Sequence, residues 1–221
     1  MSPPTVADLI LGSASLRRWQ AVSRGLARSL ARVEVSGMEN VPARGPVVVA
    51  MNHRAFFDGP FVFGFVPRPI TCLVKVEAFT PGAAYILRST GQIPVRRDRV
   101  DLGAVRLCLR ILRGGGVVGI FPEGSRGNGL VERARPGVAY LAMRTGAPVV
   151  PLALHGTDTL RHGTRRTDVR LVAGPPIRLP AVDPKARLNR RVVAEQAERV
   201  RVALAALVAG SAPDDDRTVA A

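Results

Sequence analysis

Seven short runs rich in β-branched residues punctuate this chain, and helical patterns fall between most of them. Val33-Val35, Val47-Ala50, Ile70-Val74, Gln92-Val95, Val117-Phe121, Val149-Leu154 and Val169-Ala173 read as strands. Helical spacing covers about Pro60 to Val66, Gly82 to Ser89, Leu102 to Leu112, Gly137 to Arg144 and Asn189 to Val208. Parallel strands need crossovers, and helices crossing on both faces bury a sheet completely. The alternation therefore predicts an α/β fold with a largely parallel central sheet flanked by helices. At 221 residues the chain fits one domain. The expected organisation is an N-terminal basic amphipathic helix over 1–32, the α/β domain over 33–209, and a disordered tail over 210–221, where Pro213 is followed by three aspartates.

In the N-terminal segment Leu16, Trp19, Val22, Leu26, Leu30 and Val33 recur at spacings of three and four, with Arg17, Arg24, Arg28 and Arg32 on another face. That pattern suits a helix lying in a membrane interface and equally a first helix packed on a sheet. The last helix places Val192, Val193, Ala197, Val200, Leu204 and Leu207 on one stripe. The longest apolar region, Ala55 to Val74, contains Asp58 and Arg68 and is broken by Pro60, Pro67 and Pro69, so it should not cross a bilayer. No secretory leader is expected, which places the protein on the cytoplasmic side. Cys72 and Cys108 stand in apolar surroundings and read as small core residues, with no disulfide framework.

Two apparent motifs dissolve in context. Gly114-Gly115-Gly116-Val117-Val118-Gly119 has the spacing G-x-G-x-x-G, but that fingerprint must follow a strand and open a helix. Here a helix precedes it and a strand begins inside it, so the glycines read as a helix stop and turn. Gly124-Ser125-Arg126-Gly127 follows Glu123 where G-x-S-x-G needs glycine, so Ser125 is not a nucleophile.

The chemistry collects at strand ends, where open α/β sheets place ligands. Asn52-His53-Arg54-Ala55-Phe56-Phe57-Asp58 follows the second strand. His53 and Asp58 are five positions apart, roughly 140° on a continuous helix, so they can pair only across a turn. A paired carboxylate fixes the imidazole tautomer and makes the histidine a competent general base. Gly91-Gln92-Ile93-Pro94-Val95-Arg96-Arg97 ends another strand with two guanidinium groups, and Phe121-Pro122-Glu123-Gly124-Ser125-Arg126 ends a third with Glu, Gly and Arg. Forked guanidinium groups and glycine backbone bind phosphate. A fourth block, Val150-Pro151-Leu152-Ala153-Leu154-His155-Gly156, closes a fourth strand.

In this order the four blocks, NH-x4-D, G-x-I-P-V-x-R, F-P-E-G-S-R and V-P-L-A-L-H-G, resemble the motifs of the glycerophospholipid acyltransferase family, over roughly Val33 to Gly174. The resemblance implies an acyltransferase domain over 33–209, with His53 as general base and Asp58 as its orienting partner. It implies Arg97, Glu123, Gly124, Ser125 and Arg126 around the acceptor's phosphate and glycerol, Lys75 as a further basic position, and Pro151 in acyl-donor binding. The implied donor is a fatty acyl thioester on coenzyme A or acyl carrier protein, and the implied acceptor a lysophospholipid, foremost 1-acylglycerol 3-phosphate. The chain departs from the family pattern in Ala55, in Arg96 where an acid is common, and in Ser125 where threonine is usual. These departures bear on the acceptor. A thioester is already activated, so a base on the alcohol, orientation and charge stabilisation suffice. No cofactor is expected, and no metal, since neither His155 nor His162 has ligand spacing to a second His or Cys.

Lys and Arg outnumber Asp and Glu by 32 to 17, giving a net charge of +15. Such a balance points to anionic partners, here a membrane surface touched peripherally on its cytoplasmic face. A non-catalytic protein binding nucleic acid or anionic membrane would share that charge but leaves the ordered motifs unexplained. One Trp and two Tyr are few for nucleic-acid stacking platforms, which disfavours nucleic acid. Acylation of another lyso-lipid or a glycolipid is a variation in acceptor. Phe56, Phe57, Phe61, Phe63 and Phe65 read as core, or as a wall for an acyl chain. The Arg161-His162-Gly163-Thr164-Arg165-Arg166 loop reads as a solvated basic loop or a phosphate contact.

Overall fold

The computed structural model describes residues 4–96, 98, 100–124, 129–162, 167–183 and 186–212. Seven strands form one sheet: β1 (Ala31–Ser36), β2 (Val47–Met51), β3 (Ile70–Lys75), β4 (Ile93–Val95), β5 (Val117–Ile120), β6 (Val149–His155) and β7 (Thr167–Ala173). Each lies within two residues of its expected position. The order across the sheet is β1-β7-β6-β2-β5-β3-β4. Neighbours run parallel except β6 and β7, so the sheet is largely parallel with one antiparallel junction.

The helices are α1 (Val6–Leu11), α2 (Ala14–Leu30), α3 (Asp58–Phe65), α4 (Pro81–Ser89), α5 (Leu102–Arg113), α6 (Gly137–Thr145) and α7 (Arg190–Ser211). The central strands β2, β5 and β6 are buried along their whole length. That is why they appear in sequence as unbroken apolar runs and not as alternation. Along β2, Val48 and Ala50 join a core layer with α5, α6 and α7, while Val47, Val49 and Met51 join a second layer with the phenylalanines of α3. Both cysteines are free and buried, and burial pushes their thiols up to about 12.

The N-terminal segment differs from expectation. A short α1 precedes the expected helix, closed by a capping box in which Thr5 and Asp8 each bond the other's backbone. Six residues carry too little periodicity to be seen in sequence. The boundary expected between residues 32 and 33 falls inside β1. More important, α2 covers only the first part of its apolar stripe: Leu16 is buried and Trp19 packs on the core, but Val22, Leu26 and Leu30 are 59%, 58% and 43% exposed. Its inward face is mixed: Gln20 and Ala27 are buried as well as Leu16. The buried Gln20 amide donates to the carbonyls of Phe63 (3.0 Å) and Val66 (3.2 Å), Ser23 donates to Pro60, and Arg24 to Gly64, which fastens α2 onto α3. Carbonyls at the end of α3 need donors, and side chains of α2 satisfy them.

Two further corrections concern ends. Along α7 the buried stripe is Val193, Ala197, Val200, Leu204 and Val208, with Val192 turned outward. That helix runs to Ser211, and the rest of the expected tail, 213–221, lies outside the described residues. Gly114 to Gly116 form the turn between α5 and β5, as the sequence context requires. Gly115 has φ +86, a left-handed backbone that favours glycine, and an added Cβ would stand 2.1 Å from Ile10 Cδ1 at Gly114 and 2.6 Å from Ile111 Cγ2 at Gly116. Among the described residues no helix is long and apolar enough to cross a membrane.

Candidate active site

Three central strands deliver their C-terminal ends to one place. Beyond β2 come Asn52 and His53, beyond β5 come Phe121 to Gly124, and beyond β6 come Gly156 and Thr157. Asn52 is fully buried, and its side chain reproduces a strand pairing: Nδ2 donates to Leu154 O (2.9 Å) and Oδ1 accepts from Leu154 N (2.8 Å). The clamp extends the β2–β6 pairing by one residue and sets where the chain turns off into His53. Gly156 (φ +77) lets the chain leave β6, since an added Cβ would stand 2.1 Å from Asp168 O.

The turn that His53 and Asp58 require is present. Residues 54–57 bend the chain so that Asp58, the first residue of α3, returns to the imidazole, with Nδ1 to Oδ2 2.7 Å. Asp58 is fully buried and is surrounded by donors. Oδ2 also accepts from the backbone N–H of Arg54 (2.8 Å) and Ala55 (2.9 Å), and Oδ1 accepts from the hydroxyl of buried Thr157. Convergent donors hold an acceptor-only carboxylate in place. His53 Nδ1 therefore carries its hydrogen toward Asp58, and Nε2 keeps the lone pair. Among the described residues Nε2 has no hydrogen-bond partner. The ring, 14% exposed, stacks on Phe121 at 4.2 Å between centroids and 28° between planes.

Glu123 closes the other side of His53: its Oε1 accepts the His53 backbone N–H at 3.2 Å. Burial raises the Glu123 carboxyl above its ordinary value, against the lowering influence of that hydrogen bond. Between the ordinary and the raised value the folded chain binds more protons than the unfolded one, so the wild-type protein loses stability as pH rises through that window. Glutamine keeps an acceptor for His53 N–H and carries no charge. Glu123→Gln is thus expected to gain in melting temperature on the wild type as pH goes from 4 to 8. The gain should be small, because the carboxylate is only half-buried and water screens it. Thermal unfolding at several pH values measures this, and a difference that shrinks with rising pH would contradict it.

Of the residues expected from sequence, the structure brings His53, Asp58, Glu123 and Gly124 together. Arg97, Ser125 and Arg126 lie outside the described residues. Lys75 ends β3 at the same edge of the sheet, two strands from β2, and is partly exposed. Pro151 sits inside buried β6 opposite Ala50, three residues short of His53 and so about 10 Å down the sheet. Arg96 is exposed just past β4, with its backbone N–H on Asp101. Phe61, Phe63 and Phe65 are core, whereas Phe56 is 65% exposed beside the turn. His155 is buried with Nε2 on Ser211 Oγ (2.9 Å), tying β6 to the end of α7 and away from His53. Sequence reasoning did not assign roles to Asn52 and Thr157. Asn52 could have been found as a polar residue closing an apolar strand, but Thr157 offers no local signal, since its partner is 99 positions away.

Residues 32–155, more than half of the chain, match the family model for acyltransferases. The chain belongs to the acyltransferase family. Over 147 residues it is 29% identical to the 1-acyl-sn-glycerol-3-phosphate acyltransferase of Bacillus subtilis, which covers 66% of this chain and 73% of that one. A chloroplastic 1-acyl-sn-glycerol-3-phosphate acyltransferase of Brassica napus is 28% identical over 160 residues, 66% of this chain and 45% of its own length. This acyltransferase-family chain thus spans about half the length of the plant relatives it matches. The crystal structure of the 1-acyl-sn-glycerophosphate acyltransferase from Thermotoga maritima superposes with a TM-score of 0.64 at 25% identity, covering 90% of this chain and 81% of that one. The His53–Asp58 turn, Glu123 and the end of β6 all lie in or immediately beside the matched region.

Proposed function

We propose that the protein transfers a fatty acyl group from a thioester, on coenzyme A or acyl carrier protein, to the free hydroxyl of a lysophospholipid, with 1-acylglycerol 3-phosphate as the first acceptor to test. The observation that carries the reading is the buried, four-donor Asp58 holding His53 through Nδ1, which leaves Nε2 as a base. Several relatives are 1-acyl-sn-glycerol-3-phosphate acyltransferases, which favours the same acceptor class.

In this mechanism Nε2 takes the proton of the acceptor hydroxyl as its oxygen attacks the thioester carbonyl. Asp58 stabilises the imidazolium that forms. Collapse of the tetrahedral intermediate expels the thiolate, and the proton on Nε2 passes to it, so the base is regenerated and no covalent enzyme intermediate is needed. Arg97, Ser125, Arg126 and Lys75 are proposed to hold the acceptor phosphate, and Pro151 to act in donor binding, as the family resemblance implies. Thiol release from acyl-coenzyme A with a panel of lysophospholipid and glycolipid acceptors, with mass spectrometry of the products, tests the assignment. Turnover with no acceptor in the panel would overturn it.

The substrate class suggests how the protein meets its acceptor. The exposed stripe Val22, Leu26 and Leu30 on α2 is bordered at its N-terminal end by exposed Arg18, an apolar strip on a strongly basic chain suited to the interface of an anionic membrane. Leu26→Asp alters only exposed surface, removes one inserted side chain and adds a repelled charge. Its partitioning onto phosphatidylglycerol vesicles is expected to fall about tenfold or more, from the burial value of one leucine. Vesicle pelleting measures this, and unchanged partitioning would remove α2 from the contact.

A further inference from the structure

A second basic site lies at the opposite end of the sheet. A cavity of about 580 Å³ opens among the turns that precede β2, β3 and β5, closed on one side by α2 and on another by the end of α1. Its walls carry four guanidinium groups, Arg17, Arg24, Arg44 and Arg68, and no carboxylate. None of the four forms an ion pair among the described residues. Four uncompensated cations around one cavity repel each other, and the arrangement is relieved by an anion.

The donor inventory agrees. Arg68 is half-buried, and burial lowers its affinity for its proton. It donates to the carbonyls of Pro42 (2.9 Å), Gly45 (2.8 Å) and Gly115, three of the five donors a guanidinium has. Arg17 donates to Gly12 O and Arg24 to Gly64 O, which leaves most of their donors unused. Arg44 is exposed, and among the described residues its side chain makes no hydrogen bond. These carbonyls hold the guanidinium groups in place but leave their charge in full. Planar, pre-positioned forks of this kind match phosphate oxygens.

We propose that this cavity binds a water-soluble phosphate group, a free phosphate or phosphomonoester, at a site separate from the acyl-transfer centre. The soluble source is favoured by the helix itself. At about 100° per residue, Arg17 and Arg24 stand roughly 140–180° around α2 from Val22 and Leu26, so a membrane on the apolar stripe leaves the cavity facing water. The volume falls within the range of small-molecule sites and exceeds that of one phosphate, leaving room for the group that carries it. The site does not depend on the acyl-transfer assignment.

The test is a titration of the full, ¹⁵N-labelled chain with inorganic phosphate at constant ionic strength, followed by amide chemical shifts, with chloride as the control. Ala43, Gly45 and Gly115 are expected to shift saturably with phosphate and not with chloride. Arg44→Gln, which breaks no internal bond, is expected to weaken that binding about tenfold, and Arg17→Gln with Arg44→Gln further, as loss of charge-assisted hydrogen bonds requires. The Gly124 amide, beside the acyl-transfer centre, should respond identically in wild type and variants, which separates the two sites. Absence of saturation at Ala43, Gly45 and Gly115, or an unchanged titration in Arg44→Gln, would overturn the proposal. So would shifts there with phosphatidylglycerol vesicles but not with phosphate, which would assign the cavity to a lipid headgroup.

Discussion

His53→Ala is expected to lower kcat for acyl transfer about 10²–10⁴-fold, the usual contribution of a positioned general base, while leaving the melting temperature within a few degrees of the wild type. The separation follows from the surroundings of the ring. Among the described residues the His53 side chain makes one hydrogen bond and one ring stack, and after its removal Asp58 still accepts from Arg54 N, Ala55 N and Thr157. No buried charge is stranded. Thiol release at saturating acceptor, alongside thermal unfolding, measures both quantities. Turnover equal to wild type would remove His53 from the chemistry.

Asp58 is expected to behave differently, because it serves the reaction and the fold together. Asp58→Ala strands the Arg54 and Ala55 N–H groups, the Thr157 hydroxyl and His53 Nδ1 in a fully buried place. At about 1–3 kcal/mol for each unsatisfied donor, a loss of at least roughly 3 kcal/mol follows. In a chain of this size that lowers the melting temperature by roughly 6–12 °C. Asp58→Asn should keep most of the geometry: its oxygen can occupy the Oδ2 position, and its amide can donate to Thr157, whose hydroxyl can rotate to accept. What it lacks is the negative charge opposite the imidazolium. Both variants should therefore be about as slow as His53→Ala, with Asp58→Ala much less stable than Asp58→Asn. The double variant His53→Ala/Asp58→Ala should turn over no slower than the worse single variant, since the pair acts as a unit. Independent, multiplying losses would show that Asp58 has a catalytic role other than through His53.

The centre of the sheet was legible because β2, β5 and β6 are apolar on both faces, and an unbroken run such as Val47-Val48-Val49-Ala50 is at ease only where neighbours cover it on both sides. The strand-end residues were legible because they are polar groups placed where those runs stop. Illegible were features that depend on distant partners. Gln20 looks like an ordinary polar position, yet it is buried because the carbonyls of Phe63 and Val66 need a donor. That turned α2 so that Gln20, Ser23 and Arg24 face α3 and the later part of the apolar stripe, Val22, Leu26 and Leu30, faces outward, an outcome periodicity cannot distinguish from the usual one. Thr157 and the partner of Asn52 were hidden for the same reason, and the arginine cavity because Arg17 comes from α2 while Arg44 and Arg68 come from two separate turns.

The Asn52 clamp also bears on when the protein can become active. His53 and Asp58 are five positions apart and can meet as soon as their own turn closes. The clamp joins residues 102 positions apart and the Thr157 bond residues 99 apart, so neither can form before β6 is made and seated beside β2. Contacts of such separation close slowly and late. A growing chain therefore displays the histidine long before it displays a base held in register. Competence for chemistry is gained with the completed sheet, and an unfinished molecule carries an idle imidazole.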